Sequence, residues 1–234
     1  MTNLPNLNNC KIAILGLGYV GLPLALQIAK TTKNKKNNDN LYRSVVGFDI
    51  NNNRISELIN CIDITGEFKK EVLENIQNIK YTSDIKDLVS CEIFIITVPT
   101  PIDISKKPDL SYLRKASQIV ASAIKERIKI NDQIKPIIIY ESTVYPGVTE
   151  NFCIPLIEKE TGLVGNLDFY YGYSPERINP GDKVKTINDI VKLTSGSNGI
   201  AGDCIDDFYS SIIEAGTYKT KSIKIAEAAK IIEN

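Results

Sequence analysis

Short apolar runs alternate along the chain with longer stretches in which apolar residues recur every three or four positions. Lys11–Leu15 (KIAIL) reads as a first strand, and residues 20–30 (VGLPLALQIAK) as a helix that tolerates Pro23 only in its first turn. Residues 45–50 (VVGFDI) form a second strand. Residues 92–98 (EIFIITV) and 136–140 (PIIIY) are apolar without alternation, as strands buried on both faces should be. Helical spacing marks residues 67–76, 110–128, 148–160, 198–215 and 222–233, and further strands are expected at 169–173, 190–194 and 216–218. Strands joined by helix-length connections predict βαβ units and a doubly wound α/β fold, a mostly parallel Rossmann-like sheet with helices on both faces. The expected organisation is a polar tail over 1–10, the sheet domain over 11–215, and the start of a long central helix over 216–234.

Residues 31–43 (TTKNKKNNDNLYR) interrupt this pattern and read as a solvated surface loop. The 234 residues carry 28 Lys+Arg against 28 Asp+Glu, a balance that argues against a nucleic-acid or anionic-membrane binder. No apolar run approaches the length of a membrane span. Histidine is absent, which excludes a Ser-His-Asp triad, a Cys-His pair and any His-ligated metal. The five cysteines are odd in number and scattered, with no C-x-x-C. Reduced thiols in a cytoplasmic protein, with no metal, are the expectation.

The chemistry-bearing motifs fall at strand ends. Gly16-Leu17-Gly18-Tyr19-Val20-Gly21 follows the first strand and opens a helix. In that setting Gly16 makes the tight turn, Gly18 admits a pyrophosphate to the backbone, and Gly21 lets helix and strand pack closely. Asp49 ends the second strand, 28 residues after Gly21 against the usual ~20, the polar loop accounting for the excess. A carboxylate there accepts a ribose 2′-hydroxyl and repels a 2′-phosphate, favouring NAD over NADP; the alternative is a helix cap. Arg54 could flank the adenine. Thr97-Val98-Pro99-Thr100-Pro101 is either a cofactor contact or a strand-ending turn. In Glu141-Ser142-Thr143, Thr143 could orient a water or a substrate hydroxyl, or either hydroxyl residue could cap a helix. Residues 173–183 (YSPERINPGDK) hold Glu176, a candidate base, and Arg177, a candidate anion ligand, or form a surface turn. Lys230 and Asn234 share a helix face and could hold an oxyanion, or be plain surface.

Taken together, KIAILGLGYVGLPLA, VVGFDINNNRI, FIITVPTPID, YESTVYPGVTE, FYYGYSPERINPGDK and KIAEAAKIIEN resemble the UDP-glucose/GDP-mannose dehydrogenase family, in its UDP-N-acetylhexosamine 6-dehydrogenase branch. The resemblance implies an enzyme of surface-polysaccharide synthesis that oxidises C6 of a UDP-N-acetylhexosamine twice, with two NAD⁺, and a homodimer or larger assembly. It implies that Gly16, Gly18 and Gly21, with Tyr19 and Val20, carry the pyrophosphate, Asp49 the ribose and Arg54 the adenosine end. Thr97, Pro99, Thr100 and Thr143 would also meet the cofactor. Thr143 and Glu176 would handle the catalytic water, Lys230 and Asn234 the oxyanion, and Arg177 and Asn179 the sugar. The family's nucleophilic cysteine lies in a glycine-rich segment beyond the central helix, so the chain is expected to be an N-terminal portion lacking it and the UDP-binding domain. A non-catalytic NAD-binding module and a one-step 3-hydroxyacid-type dehydrogenase remain as alternatives.

Overall fold

The structure, a computed structural model, describes residues 3–102, 104, 107–130, 133–176 and 187–233. Eight strands form one sheet: β1 (Lys11–Leu15), β2 (Ser44–Phe48), β3 (Ile79–Thr82), β4 (Ile93–Ile96), β5 (Ile137–Tyr140), β6 (Tyr170–Tyr173), β7 (Lys192–Gly196) and β8 (Thr217–Lys219). Their order is β3-β2-β1-β4-β5-β6-β7-β8, parallel throughout except for the β6–β7 pair. The helices are α1 (Gly21–Lys30), α2 (Asn52–Ile59), α3 (Lys70–Glu74), α4 (Ser111–Lys129), α5 (Ile154–Thr161), α6 (Gly199–Ser210) and α7 (Ile223–Glu233).

The strand period of two sorts side chains into two cores. Ile12, Ile14, Val45, Ile93, Ile95, Ile137 and Ile139 face α1, α2, α3 and α6. Ala13, Leu15, Val46, Phe94, Ile96, Ile138 and Tyr140 face α4, α5 and α7. Because β4 and β5 are covered on both sides, every residue in them is buried, which is why their sequences show no polar alternation. The chain reverses direction across the sheet between β1 and β4, so their carboxyl ends open a crevice where ligands of such folds sit.

Three segments differ from the sequence expectation. Residues 3–10 are docked: Leu4 and Leu7 pack on the core, Pro5 and Cys10 are buried, and the Leu7 carbonyl accepts from Arg43 at 2.6 Å. Apolar residues spaced among the asparagines do this. The lysine-rich loop is exposed but tied to α6 and the turn after it, by Lys36–Asp207 at 2.9 Å and Lys35–Glu214 at 2.6 Å. β8, the strand expected at 216–218, bonds to β7, so the sheet continues past the expected boundary at 215, and the last helix starts at Ile223, as the spacing from 222 implied. Helix α2 and strand β3, short and poorly patterned, add to the expected elements.

All five cysteines are free thiols. Burial pushes Cys10, Cys91, Cys153 and Cys204 up to about 12, so they stay protonated and act as packing. Among the described residues no helix is long and apolar enough to cross a membrane, and no cluster of three or more His, Cys, Asp or Glu could hold a metal.

Helix α7 is fastened by one buried carboxylate. Glu227 accepts from the Gly147 N–H at 2.5 Å and from the Thr149 N–H at 3.0 Å. It thereby caps the helical turn Thr149–Cys153 that leads into α5. Glu227→Gln retains only one good acceptor for two buried N–H groups. It should lower stability by about 1–3 kcal/mol, read as an earlier urea midpoint; an unchanged midpoint would mean α7 docks without this carboxylate.

Candidate functional site

A cavity of about 730 Å³ opens at the carboxyl ends of β1, β2, β4 and β5, a size typical of cofactor sites. The turn after β1 forms one wall. Gly16 sits at φ +97°, a left-handed conformation that glycine adopts without strain. Gly21 does not line the cavity; it lies beneath, where a Cβ would overlap the Gly16 carbonyl and the Thr97 hydroxyl. At Gly18 the reverse holds: a Cβ would meet nothing within 4 Å, because that space belongs to the cavity. Tyr19 and Val20 complete this wall, and no side chain caps α1. The first turn of α1 therefore turns backbone donors and a positive dipole end toward the opening.

Asp49 lines the adjoining wall. One carboxylate oxygen accepts from the Leu17 N–H at 2.9 Å and the other from the Asn51 N–H at 2.9 Å. The capping alternative fails, since Asn51 is the residue that caps α2. Ile50, Tyr112, Lys115 and Ile119 flank the same end. Arg54 does not line the cavity wall. Its Nε donates to the Leu17 carbonyl at 2.9 Å and its Nη2 to Asp63 at 2.8 Å, committing the guanidinium behind the turn.

Thr97, Val98, Pro99 and Thr100 line the centre of the cavity. The single Thr97 O–H lies between the Leu15 and Gly16 carbonyls, at 3.0 and 2.8 Å, and is shared by them, fastening β4 to the turn after β1. Thr100 donates to the Thr143 carbonyl at 2.5 Å and Ser142 to the Val98 carbonyl at 2.5 Å, joining the loops after β4 and β5. Neither Ser142 nor Thr143 caps a helix, since the turn after that loop begins at Thr149 and Glu227 caps it. Thr143, Glu176 and Lys230 line the far end together. Arg177, Asn179 and Asn234 lie outside the described residues.

The floor of that far end holds a buried ionic cluster in which Glu176 joins Glu141, Lys192 and Tyr209, three residues that carried no assigned role in the sequence. Lys192 Nζ lies 2.9 Å from Glu141, 3.5 Å from Glu176 and 3.1 Å from the Pro175 carbonyl. Tyr209 donates to the other Glu141 oxygen. Burial opposes the Lys192 ammonium, but Glu141 and Glu176 outweigh it and hold its pKa above the ordinary lysine value. Burial lifts the Glu141 carboxyl, against the pull of Lys192. Burial and Glu141 push the Tyr209 phenol well up, so it remains a donor. A lysine within the strand run IVKLT was the available signal for this cluster.

The comparisons decide the family. The model of the UDP-glucose/GDP-mannose dehydrogenase family, NAD binding domain, matches residues 10–212. The chain belongs to this family. A UDP-N-acetyl-D-glucosamine 6-dehydrogenase of Salmonella typhi is 48% identical over 228 residues, covering 97% of this chain and 49% of that protein. Protein CapL of Staphylococcus aureus is 49% identical over 226 residues, covering 97% and 49%. The solved structure of a UDP-D-ManNAc dehydrogenase from Pyrococcus horikoshii is 33% identical with a TM-score of 0.79, covering 95% of this chain and 49% of that one. The chain thus spans about half the length of the relatives it matches, and that half is their NAD-binding part.

Two outcomes test this geometry. Lys192→Met leaves Glu141 buried without its cation and should cost about 3–5 kcal/mol, most of it recovered in the Lys192→Met/Glu141→Gln double variant; urea unfolding of the three proteins measures both. Asp63 is held below the ordinary carboxylate range: burial works against this, but bonds from Thr65, Arg54 and Phe68 outweigh it. Its contribution is therefore full above about pH 4 and is lost as pH falls through the lowered native value. The gap in urea midpoint between wild type and Asp63→Asn should narrow below about pH 4.

Proposed function

We propose that the chain is the cofactor-binding part of an NAD-dependent UDP-N-acetylhexosamine 6-dehydrogenase that serves surface-polysaccharide synthesis. The observation that carries this is the single cavity that joins the glycine turn and Asp49 at one end to Thr143, Glu176 and Lys230 at the other. It does so in a chain 48% identical to a UDP-N-acetyl-D-glucosamine 6-dehydrogenase.

The residues present fit NAD. The open cradle over Gly18 suits a diphosphate, with Gly16, Tyr19 and Val20 shaping it and Gly21 allowing α1 to approach. Asp49 suits a ribose diol and repels a 2′-phosphate. Thr97, Pro99 and Thr100 wall the path between the ends. When bound, NAD supplies the hydride acceptor. Lys230 places an ammonium where negative charge grows on the C6 oxygen as its proton leaves. The Thr143 hydroxyl and Glu176 carboxylate orient a water, and Glu176 can take its proton. Asn234 beside Lys230, and Arg177 and Asn179 on the sugar, belong to the same proposal through the family motif. So does a homodimer or larger assembly, supported by Ile225, Ile231 and Ile232 exposed on α7. A cytoplasmic setting is supported by the free thiols.

Asp49→Ala should weaken NAD⁺ binding to the chain about tenfold or more and narrow its preference over NADP⁺, read by calorimetry. The protein purified from its own cells should form two NADH per UDP-N-acetylhexosamine consumed. A single NADH per substrate, or turnover of 3-hydroxy acids alone, would favour a one-step dehydrogenase. NAD⁺ binding without any turnover would leave a binding module.

A further inference from the structure

The loops that carry Thr143 and Glu176 leave neighbouring strands, β5 and β6, and one side chain from a third strand reaches both. Lys192, on β7, donates to Glu141 at 2.9 Å and to the Pro175 carbonyl at 3.1 Å, and its ammonium lies 3.5 Å from the Glu176 carboxylate. Glu141 stands two residues before Thr143, directly after β5. Pro175 and Glu176 follow Ser174 at the exit of β6. The ammonium has three donors, and these three oxygens match them in number. It therefore meets a backbone group and a side chain of one loop, and the base of the other.

This tie is itself held. Tyr209 donates to the second Glu141 oxygen. The Ser174 hydroxyl donates to the Leu193 carbonyl at 2.7 Å and its N–H to the Tyr140 carbonyl at 2.9 Å, which pins the exit of β6 to the strands on either side. The Tyr173 hydroxyl donates to the Ser142 carbonyl at 3.1 Å. Those bonds set the two backbones. Of all these contacts, the Lys192 ion pair is the one that reaches the Glu176 carboxylate. Lys192 and Glu141 are buried, so bulk water does not weaken their attraction as it would at a surface.

We propose that Lys192 is a positioning residue that ties the Glu176 loop to the Thr143 loop, and so fixes the spacing at which those two residues hold the water consumed in the oxidation. This rests on the function proposed above. Turning an alcohol into a carboxylate removes two hydrides, releases three protons and takes its added oxygen from one water. The first hydride transfer leaves an aldehyde and uses no water; the water must add before the acid is complete. A fault in holding the water therefore slows completion and spares the first NADH.

The test uses the protein purified from its own cells, with each variant made in its gene. The substrate is whichever of UDP-N-acetylglucosamine, UDP-N-acetylgalactosamine and UDP-N-acetylmannosamine the unaltered protein turns over. Rapid mixing reads the rate of the first NADH, and steady-state kinetics reads kcat and KM. Lys192→Met/Glu141→Gln removes both buried charges together. It should keep the first-NADH rate and both KM values within about twofold, while kcat falls about tenfold or more. Lys192→Arg keeps a buried cation with its donors placed differently, and should show the same split at smaller size; it decides the matter if the double variant does not fold. Glu141→Gln alone leaves Lys192 on Pro175 and Glu176 and should lose less than the double variant. A loss as large as the double variant's would assign the effect to Glu141 and overturn the proposal. An equal fall in the first-NADH rate and kcat would mean general loosening of the cavity and would overturn it, as would an unchanged kcat. Unaltered protein that forms no NADH from any of the three sugars would overturn the proposed function and this inference with it, a result distinct from the others.

Discussion

At Gly21, helix α1 passes over the turn after β1 with no room for a methyl group, between the Gly16 carbonyl and the Thr97 hydroxyl. That contact sets how close the helix lies to the sheet. It also sets where the first turn of α1 points, and so where the cavity has its cluster of backbone donors. Gly16 makes the turn possible at φ +97°, and Thr97 ties the turn to β4 through one hydroxyl shared by the Leu15 and Gly16 carbonyls. Asp49 and Arg54 then hold the Leu17 peptide from behind. One steric constraint and a few hydrogen bonds thus convert a generic strand–turn–helix into a rigid cradle.

The opposite end of the cavity is built by charge. Lys192 sits under Glu141 and Glu176 and neutralises part of their charge. The arrangement is favourable only while every partner is present, because any one of these ions left alone would bear the full cost of burial. Glu227 adds a second fixed point, fastening the helix that carries Lys230 to the loop that follows Thr143. The far wall is therefore assembled from three separate stretches of chain. Lys192 and Glu227, both buried, hold these stretches together.

Much of this was legible in the sequence. The runs of β1, β4 and β5 are buried on both faces, and unbroken apolar strings state that directly. The glycine spacing and Asp49 announced the cradle because tight turns and close approaches admit few other residues. The rest was hidden for physical reasons. The partner of Arg54 is a carboxylate nine positions on, past the end of α2, a pairing that no helical period gives. The docking of residues 3–10 depends on Leu7 meeting Arg43 and on Leu4 and Leu7 finding the core, contacts made only in three dimensions. Lys192 was visible as a charged residue in the strand run IVKLT. Its counter-ion, on β5's following loop 51 residues earlier, was not.

The central claim is that the glycine turn and Asp49 hold a dinucleotide with its reactive end directed at Thr143, Glu176 and Lys230. A crystal structure of the 234-residue chain grown with NAD⁺ tests it most directly. The account predicts the diphosphate over Gly18, the adenosine ribose hydroxyls within hydrogen-bond distance of Asp49, and the nicotinamide at the end of the cavity where Glu176 lies. A ribose turned away from Asp49, or a cofactor bound elsewhere on the chain, would contradict it.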